Sequence, residues 1–116
     1  ATPDTIALLQ EAAHLMHADD RLWWMADSLP WLPLHQGRLA DAVRVQAWAD
    51  ALVRQRGDLR GIMFGTVRAR FDEQLAALPD AATWQAQLQQ HLQAPPGLDD
   101  AAVLGLVFGA AASATR

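Results

Sequence analysis

Residues 38–57 read RLADAVRVQAWADALVRQRG, and this stretch decides the fold class. Leu39, Ala42, Val45, Ala49 and Leu52 recur at steps of three and four, which places them on one face of an α-helix. Asp41 falls in the first turn and Arg54 and Arg56 in the last, where their charges oppose the helix dipole. Gly57 supplies the stop, because glycine accepts the left-handed backbone that ends a helix.

Working outward, the same period and punctuation recur. Upstream, Pro30 and Pro33 predict an irregular stretch over Leu29–Gly37. Before it, Thr2-Pro3-Asp4 reads as an N-cap, a proline at the first helical position and an acid in the first turn. The helix that follows carries Ile6, Leu9, Ala13 and Met16 on one stripe, with Leu8, Ala12 and Leu15 beside it. It either stops near His17 and restarts at Asp19 or runs on to Ser28; no Gly or Pro interrupts it, so one long helix is expected. Downstream, Asp58 can cap a helix striped by Phe64, Val67, Phe71, Leu75 and Leu78 and ended by Pro79. Asp80 can cap a shorter one with Trp84, Leu88 and Leu92, and Ala94-Pro95-Pro96-Gly97 breaks the chain again. The last helix, Asp99–Ala114, is apolar on all faces from Ala101 to Ala112, and so is expected at the centre of the bundle. No strand pattern or repeat competes. The expectation is a single all-α domain over residues 1–116, an orthogonal or up-and-down bundle of five or six helices with a Pro-containing loop after the first long helix.

Composition excludes more than it selects. The 116 residues include no Cys, so there is no disulfide framework, thiolate nucleophile or Cys-ligated metal. They also include no Lys, which removes Schiff-base chemistry and a Walker-type phosphate loop. A net charge of −4 argues against nucleic acid as a partner. No apolar run reaches the roughly 18–20 residues a membrane span needs. Abundant alanine and leucine, with arginine as the only strong base, suggest a GC-rich bacterial genome. The start Ala1-Thr2-Pro3 fits removal of an initiator Met or of a signal peptide; a soluble protein is expected, in the cytoplasm ahead of the periplasm.

Few residues group as chemistry requires. Glu11-Ala12-Ala13-His14 has the Glu-x-x-His spacing of bundle di-iron sites, and His17 extends that face. A di-iron site also needs a second such pair and further carboxylates. The chain holds only Glu11 and Glu73 as glutamates, and neither His35 nor His91 has a Glu three residues before it. A mononuclear site from Glu11, His14, His17 and Asp20 is the alternative to a wet helix face; no cofactor and no stoichiometric metal are expected. Ser28 and Ser113 lie outside any nucleophile elbow. Asp19-Asp20 and Asp99-Asp100 are neighbours on a helix, splayed too far for acid/base dyads, and both fall where N-terminal caps are expected. Most arginines have a partner at helical spacing, as in Asp41–Arg44, Asp50–Arg54, Arg68–Asp72 and Arg70–Glu73. Arg38, Arg56 and Arg60 are the least committed, and flank helix ends where a carboxylate or phosphate can sit. Gly61/Gly65 and Gly105/Gly109 sit inside helices, where glycine costs about 0.8–1 kcal/mol against alanine, so close helix contacts are expected there.

The unusual feature is aromatic. Trp23, Trp24 and Trp31 fall close together among Leu22, Met25, Leu29, Leu32 and Leu34. Adjacent Trp23 and Trp24 cannot both face one core direction, and tryptophan is enriched at binding hot spots. The leading expectation is a non-enzymatic protein–protein interaction module, an adaptor, chaperone-like or regulatory subunit, that binds another protein or a second copy of itself through Trp23, Trp24, Trp31 and Leu34. The alternative is a helical small-molecule site for an anionic or aromatic ligand, with a tryptophan lining and Arg38 or Arg60 holding the anionic group. No catalytic residue is assigned.

Two segments carry family likenesses. Gly37-Arg38-Leu39-Ala40-Asp41-Ala42 is similar to the turn and second helix of a tetratricopeptide hairpin, with Leu29 and Ala49 at compatible spacing, although the preceding helix would hold Pro30 and Pro33. A long first helix, a Pro-containing loop and Arg38 at the next helix start resemble the all-helical chorismate mutases. That resemblance implies roles for Arg38 and Gln74, and with them a divergent chorismate-mutase-like enzyme. The family's first-helix Lys has no counterpart here, and where the family has an Arg-Glu pair Arg38 is followed by Leu39.

Overall fold

The computed structural model describes residues 2–57, 60–94 and 97–109; the side chains of Ile62 and Met63 also lie outside the description. Among the described residues there are six α-helices and no strand. They are α1 (Pro3–Ala18), α2 (Trp31–His35), α3 (Leu39–Gln55), α4 (Gly61–Ala76), α5 (Ala81–Gln93) and α6 (Asp100–Val107), with a 3-10 segment, Leu22–Ser28, between α1 and α2. None of these helices is long and apolar enough to cross a membrane.

Helix α1 begins as expected: the Thr2 hydroxyl accepts the Thr5 N–H at 3.1 Å, and Pro3 opens the first turn. It does not run on to Ser28. Asp20 takes φ 56°, Asp20 N–H donates to the His17 carbonyl at 3.1 Å, and Arg21 N–H donates to the Met16 carbonyl at 2.7 Å. That pair of bonds is a Schellman stop with aspartate in the seat glycine usually fills. Asp19-Asp20 therefore ends a helix rather than capping the start of one. Asp99 does cap, its carboxylate accepting the Ala102 N–H at 2.8 Å.

The stretch expected to be irregular contains α2. Pro30 is its N-cap and Pro33 falls in the first turn, where a missing N–H forfeits no intrahelical bond. Gly37, at φ 75°, then ends it, with Arg38 N–H donating to the Pro33 carbonyl at 2.8 Å. The expected Asp58 cap, the Pro95-Pro96 break and the end of the last helix beyond Gly109 lie outside the described residues.

The central helix is α3, not α6. Ala42, Val43, Val45, Gln46, Ala47, Trp48 and Ala49 are all buried on it. It joins two cores. Val45, Trp48 and Ala49 pack with Ala13, Leu22, Leu29, Val103 and Val107 from α1, the 3-10 segment and α6. Ala42, Val43 and Ala47 pack with Phe71, Leu75 and Leu88 from α4 and α5. Helix α6 is apolar all round, but its outer residues Ala101, Ala102 and Gly105 are small and cheap to expose, and only Val103, Leu104 and Val107 are buried.

Arg38 ties α6 down. Its guanidinium donates to the carbonyls of Leu106 at 2.6 Å and Val107 at 2.5 Å, two of the acceptors a helix C-terminus leaves open. Gln36 and Asp41 accept from the same group. Arg38→Met should cost about 1.5–3 kcal/mol, the range for bonds from a charged donor. Amide hydrogen exchange in α6 should quicken more than in α5; uniform protection across both would contradict this.

The glycine expectation is overturned. Among the described residues, a Cβ built at Gly65, Gly105 or Gly109 meets no atom within 4 Å, so none of these marks a close crossing of the described helices. Gly61 is required for another reason, its φ of 74°. Gly105→Ala and Gly65→Ala should each raise stability by about 0.5–1 kcal/mol in urea unfolding, through helix propensity and a less free unfolded chain. A loss at both sites would restore the close-contact reading.

Candidate functional site

Of the large apolar residues between Leu22 and Leu34, only Trp23 and Trp24 are exposed, at 37% and 51%. The 3-10 segment explains this. A kink at Met25 (φ −114°, ψ 18°) divides it into two short turns, with Leu22, Ala26 and Leu29 directed into the core and the paired indoles outward. The indole rings lie 5.6 Å apart at 58°. Each has an arginine over it: Arg56 stands 4.0 Å from the Trp23 ring centre, and Arg21 stands 5.9 Å from that of Trp24.

Beside the indoles opens a cleft of about 430 Å³, walled by Trp23, Trp24, Leu52, Val53 and Phe64, with Asp27, Arg56 and Arg60 supplying its charge. A second hollow, of about 400 Å³, lies by Trp48, Gln55 and Leu98, and among the described residues no cation lines it.

The polar side of the cleft is fixed from behind. Asp27 is 4% exposed, and Arg60 grips it with two bonds of 2.7 Å, Nε to Oδ2 and Nη2 to Oδ1. Arg60 also donates to Asp50. Arg68 holds Asp50 through Nε at 2.9 Å and Nη2 at 3.0 Å, and donates to Asp72 as well. Gln46, fully buried, donates to Asp50 at 3.1 Å and to Asp27 at 3.5 Å. The result is a chain of charges that joins the 3-10 segment, α3 and α4. Burial pulls the Arg60 and Arg68 pKa values down, but bonds and charge attraction from Asp27 and Asp50 to Arg60, and from Asp50 and Asp72 to Arg68, outweigh it. Both values end raised from the ordinary arginine value. A base raised in the fold adds stability that is full at neutral pH and lost only as strongly alkaline pH rises through the raised value.

The structure divides the expected site residues. Trp23 and Trp24 are on the surface. Trp31 and Leu34 are not: both pack against the Phe71 core, with Trp31 edge-on to Phe71 at 6.3 Å, because α2 turns them inward. Arg60 lines the cleft but is taken up by two carboxylates. Arg38 is spent on α6, and Gln74 is exposed on α4; neither lines the cleft. Of the three arginines read as least committed, Arg56 alone has no carboxylate within ion-pair distance among the described residues. Asp27 and Phe64 were not foreseen, since no cation stands at helical spacing from Asp27 and Phe64 reads as one more stripe residue. Of the expected local pairs only Arg68–Asp72 forms; Asp41 pairs instead with Arg38.

On α1, His17 Nδ1 stands 3.8 Å from an Asp100 oxygen. Among the described residues no three His, Asp or Glu side chains gather closely enough to hold a metal ion. No family model, no curated protein and no solved structure matches this chain.

Proposed function

We propose that the chain is a non-enzymatic binding module that docks another protein, or a second copy of itself, on the Trp23/Trp24 cleft. The observation that carries this reading is the pair of neighbouring indoles left open to solvent, each under an arginine. Tryptophan and arginine are the side chains most enriched at interface hot spots, and exposed apolar surface of this kind in a folded protein marks a contact site. The cores do not need these two rings, since Leu22, Ala26 and Leu29 supply the segment's share.

Trp24→Ser tests the reading, because so exposed a residue can change with the fold kept. Partner capture and sedimentation should both be compared with the wild type. A stoichiometric partner or a dimer that the wild type forms and Trp24→Ser loses, at unchanged melting temperature, is the expected result. Identical capture by the two proteins, with both sedimenting as monomers, would overturn it.

The cleft volume favours a second reading, a small aromatic anion in the same place, because about 430 Å³ falls within the range of ligand pockets. Aromatic carboxylates should then raise the melting temperature of the wild type in proportion to the logarithm of their concentration.

A further inference from the structure

The charges around the cleft specify its occupant more narrowly. The chain as a whole carries −4, yet among the described residues the cleft is lined by two arginines and one carboxylate. Arg60 and Asp27 neutralise each other in a bidentate pair. The charge left over belongs to Arg56.

Arg56 is held in an unusual way. Its guanidinium lies 4.0 Å from the Trp23 ring centre, so the attraction is between cation and aromatic ring. Such a contact orients the cation without consuming its N–H donors. No carboxylate among the described residues stands within ion-pair distance of it. A guanidinium braced against a ring loses less freedom when it binds, and its donors match the two oxygens of a carboxylate. Beside it, Leu52, Val53, Phe64 and Trp24 form an apolar wall with no cation of its own. The outer indole adds Arg21, whose pairing with Asp19 is exposed on both sides and easily exchanged.

Resting on the cleft reading above, we infer that the docked element is a segment of a partner protein that presents an aspartate or glutamate beside an aromatic side chain. The carboxylate pairs with Arg56, and the ring enters between Trp24 and Phe64.

The blocked dipeptides acetyl-Asp-Phe-amide, acetyl-Asn-Phe-amide and acetyl-Lys-Phe-amide test this directly. They share the ring and differ in the charge beside it. Titration is followed through the indole N–H signals of Trp23 and Trp24, assigned with single Trp→Phe variants. The aspartyl peptide should bind roughly tenfold tighter than the asparaginyl one, the ratio for one charge-assisted pair, with the lysyl peptide weakest. Arg56→Met should erase that difference while leaving the asparaginyl peptide unaffected. Arg54→Met, at an exposed neighbouring position, should change nothing.

Equal binding of all three peptides would overturn the carboxylate inference and leave the cleft reading standing. Movement of neither indole signal would overturn the inference too, and the cleft reading would then be decided by the Trp24→Ser capture experiment. Binding of 3-phenylpropionate as tight as that of the aspartyl peptide would replace the partner segment with a small aromatic acid.

Discussion

Asp50→Ala is expected to lower the unfolding free energy by about 3–5 kcal/mol, the range found when one partner of a buried ion pair is removed. Asp50 is 11% exposed and accepts from three residues at once: Gln46, Arg60 and Arg68. Without it Arg60 retains Asp27, but Arg68 retains only the half-exposed Asp72. A guanidinium that is itself 16% exposed would then stand in the interior with most of its donors idle. Asp50→Asn should cost less yet remain clearly destabilising, because the amide turns an N–H group toward arginine donors. The double change Asp50→Leu with Arg68→Met should recover a good part of the loss, since the desolvation penalty leaves with both charges. Urea unfolding at constant slope measures all three. A loss below about 1 kcal/mol for Asp50→Ala would place the pair among ordinary surface bridges.

That network shows where a sequence reading stops. Asp50 and Arg54 stand at the right spacing for a helical pair, but such a pair contributes only about 0.2–0.5 kcal/mol. Arg60 and Arg68 give Asp50 a larger return, with better geometry and less water, yet no local pattern announces them. Helix boundaries set by glycine and proline were legible, as at Gly57 and Pro79. The end of α1 was not, because an aspartate occupies its left-handed position. Periodicity identified α3 as a helix but could not rank it as the centre. Mean apolarity pointed to α6, whereas burial depends on how many faces meet a neighbour.

The candidate site was half legible for a similar reason. Two adjacent tryptophans on a helical turn cannot share one inward direction, and both indoles do end on the surface. Trp31 gave the same signal and sits elsewhere. A proline pair that reads as a helix breaker instead starts α2, and that single turn carries Trp31 and Leu34 into the second core. Arg56 was distinguishable from Arg38 and Arg60 only once the carboxylates that claim the other two were in place.

The second core yields the other large effect. Phe71→Ala should cost about 3–5 kcal/mol, the usual loss for a fully buried aromatic ring cut to a methyl group. Phe71 is 0% exposed and meets Trp31 edge-on, a geometry that adds to simple area burial. The damage should extend beyond the cavity, because the chief apolar partners of Phe71 lie on α2, α3 and α5. Phe71→Leu keeps most of the volume and should lose markedly less. Trp31→Ala should resemble Phe71→Ala in kind: lower stability and no change in self-association, in contrast to Trp24→Ser. The pair separates core from surface within one short stretch of chain. If Trp31→Ala left melting unchanged but altered association, Trp31 would belong to the docking face, and the inward course of α2 would be wrong.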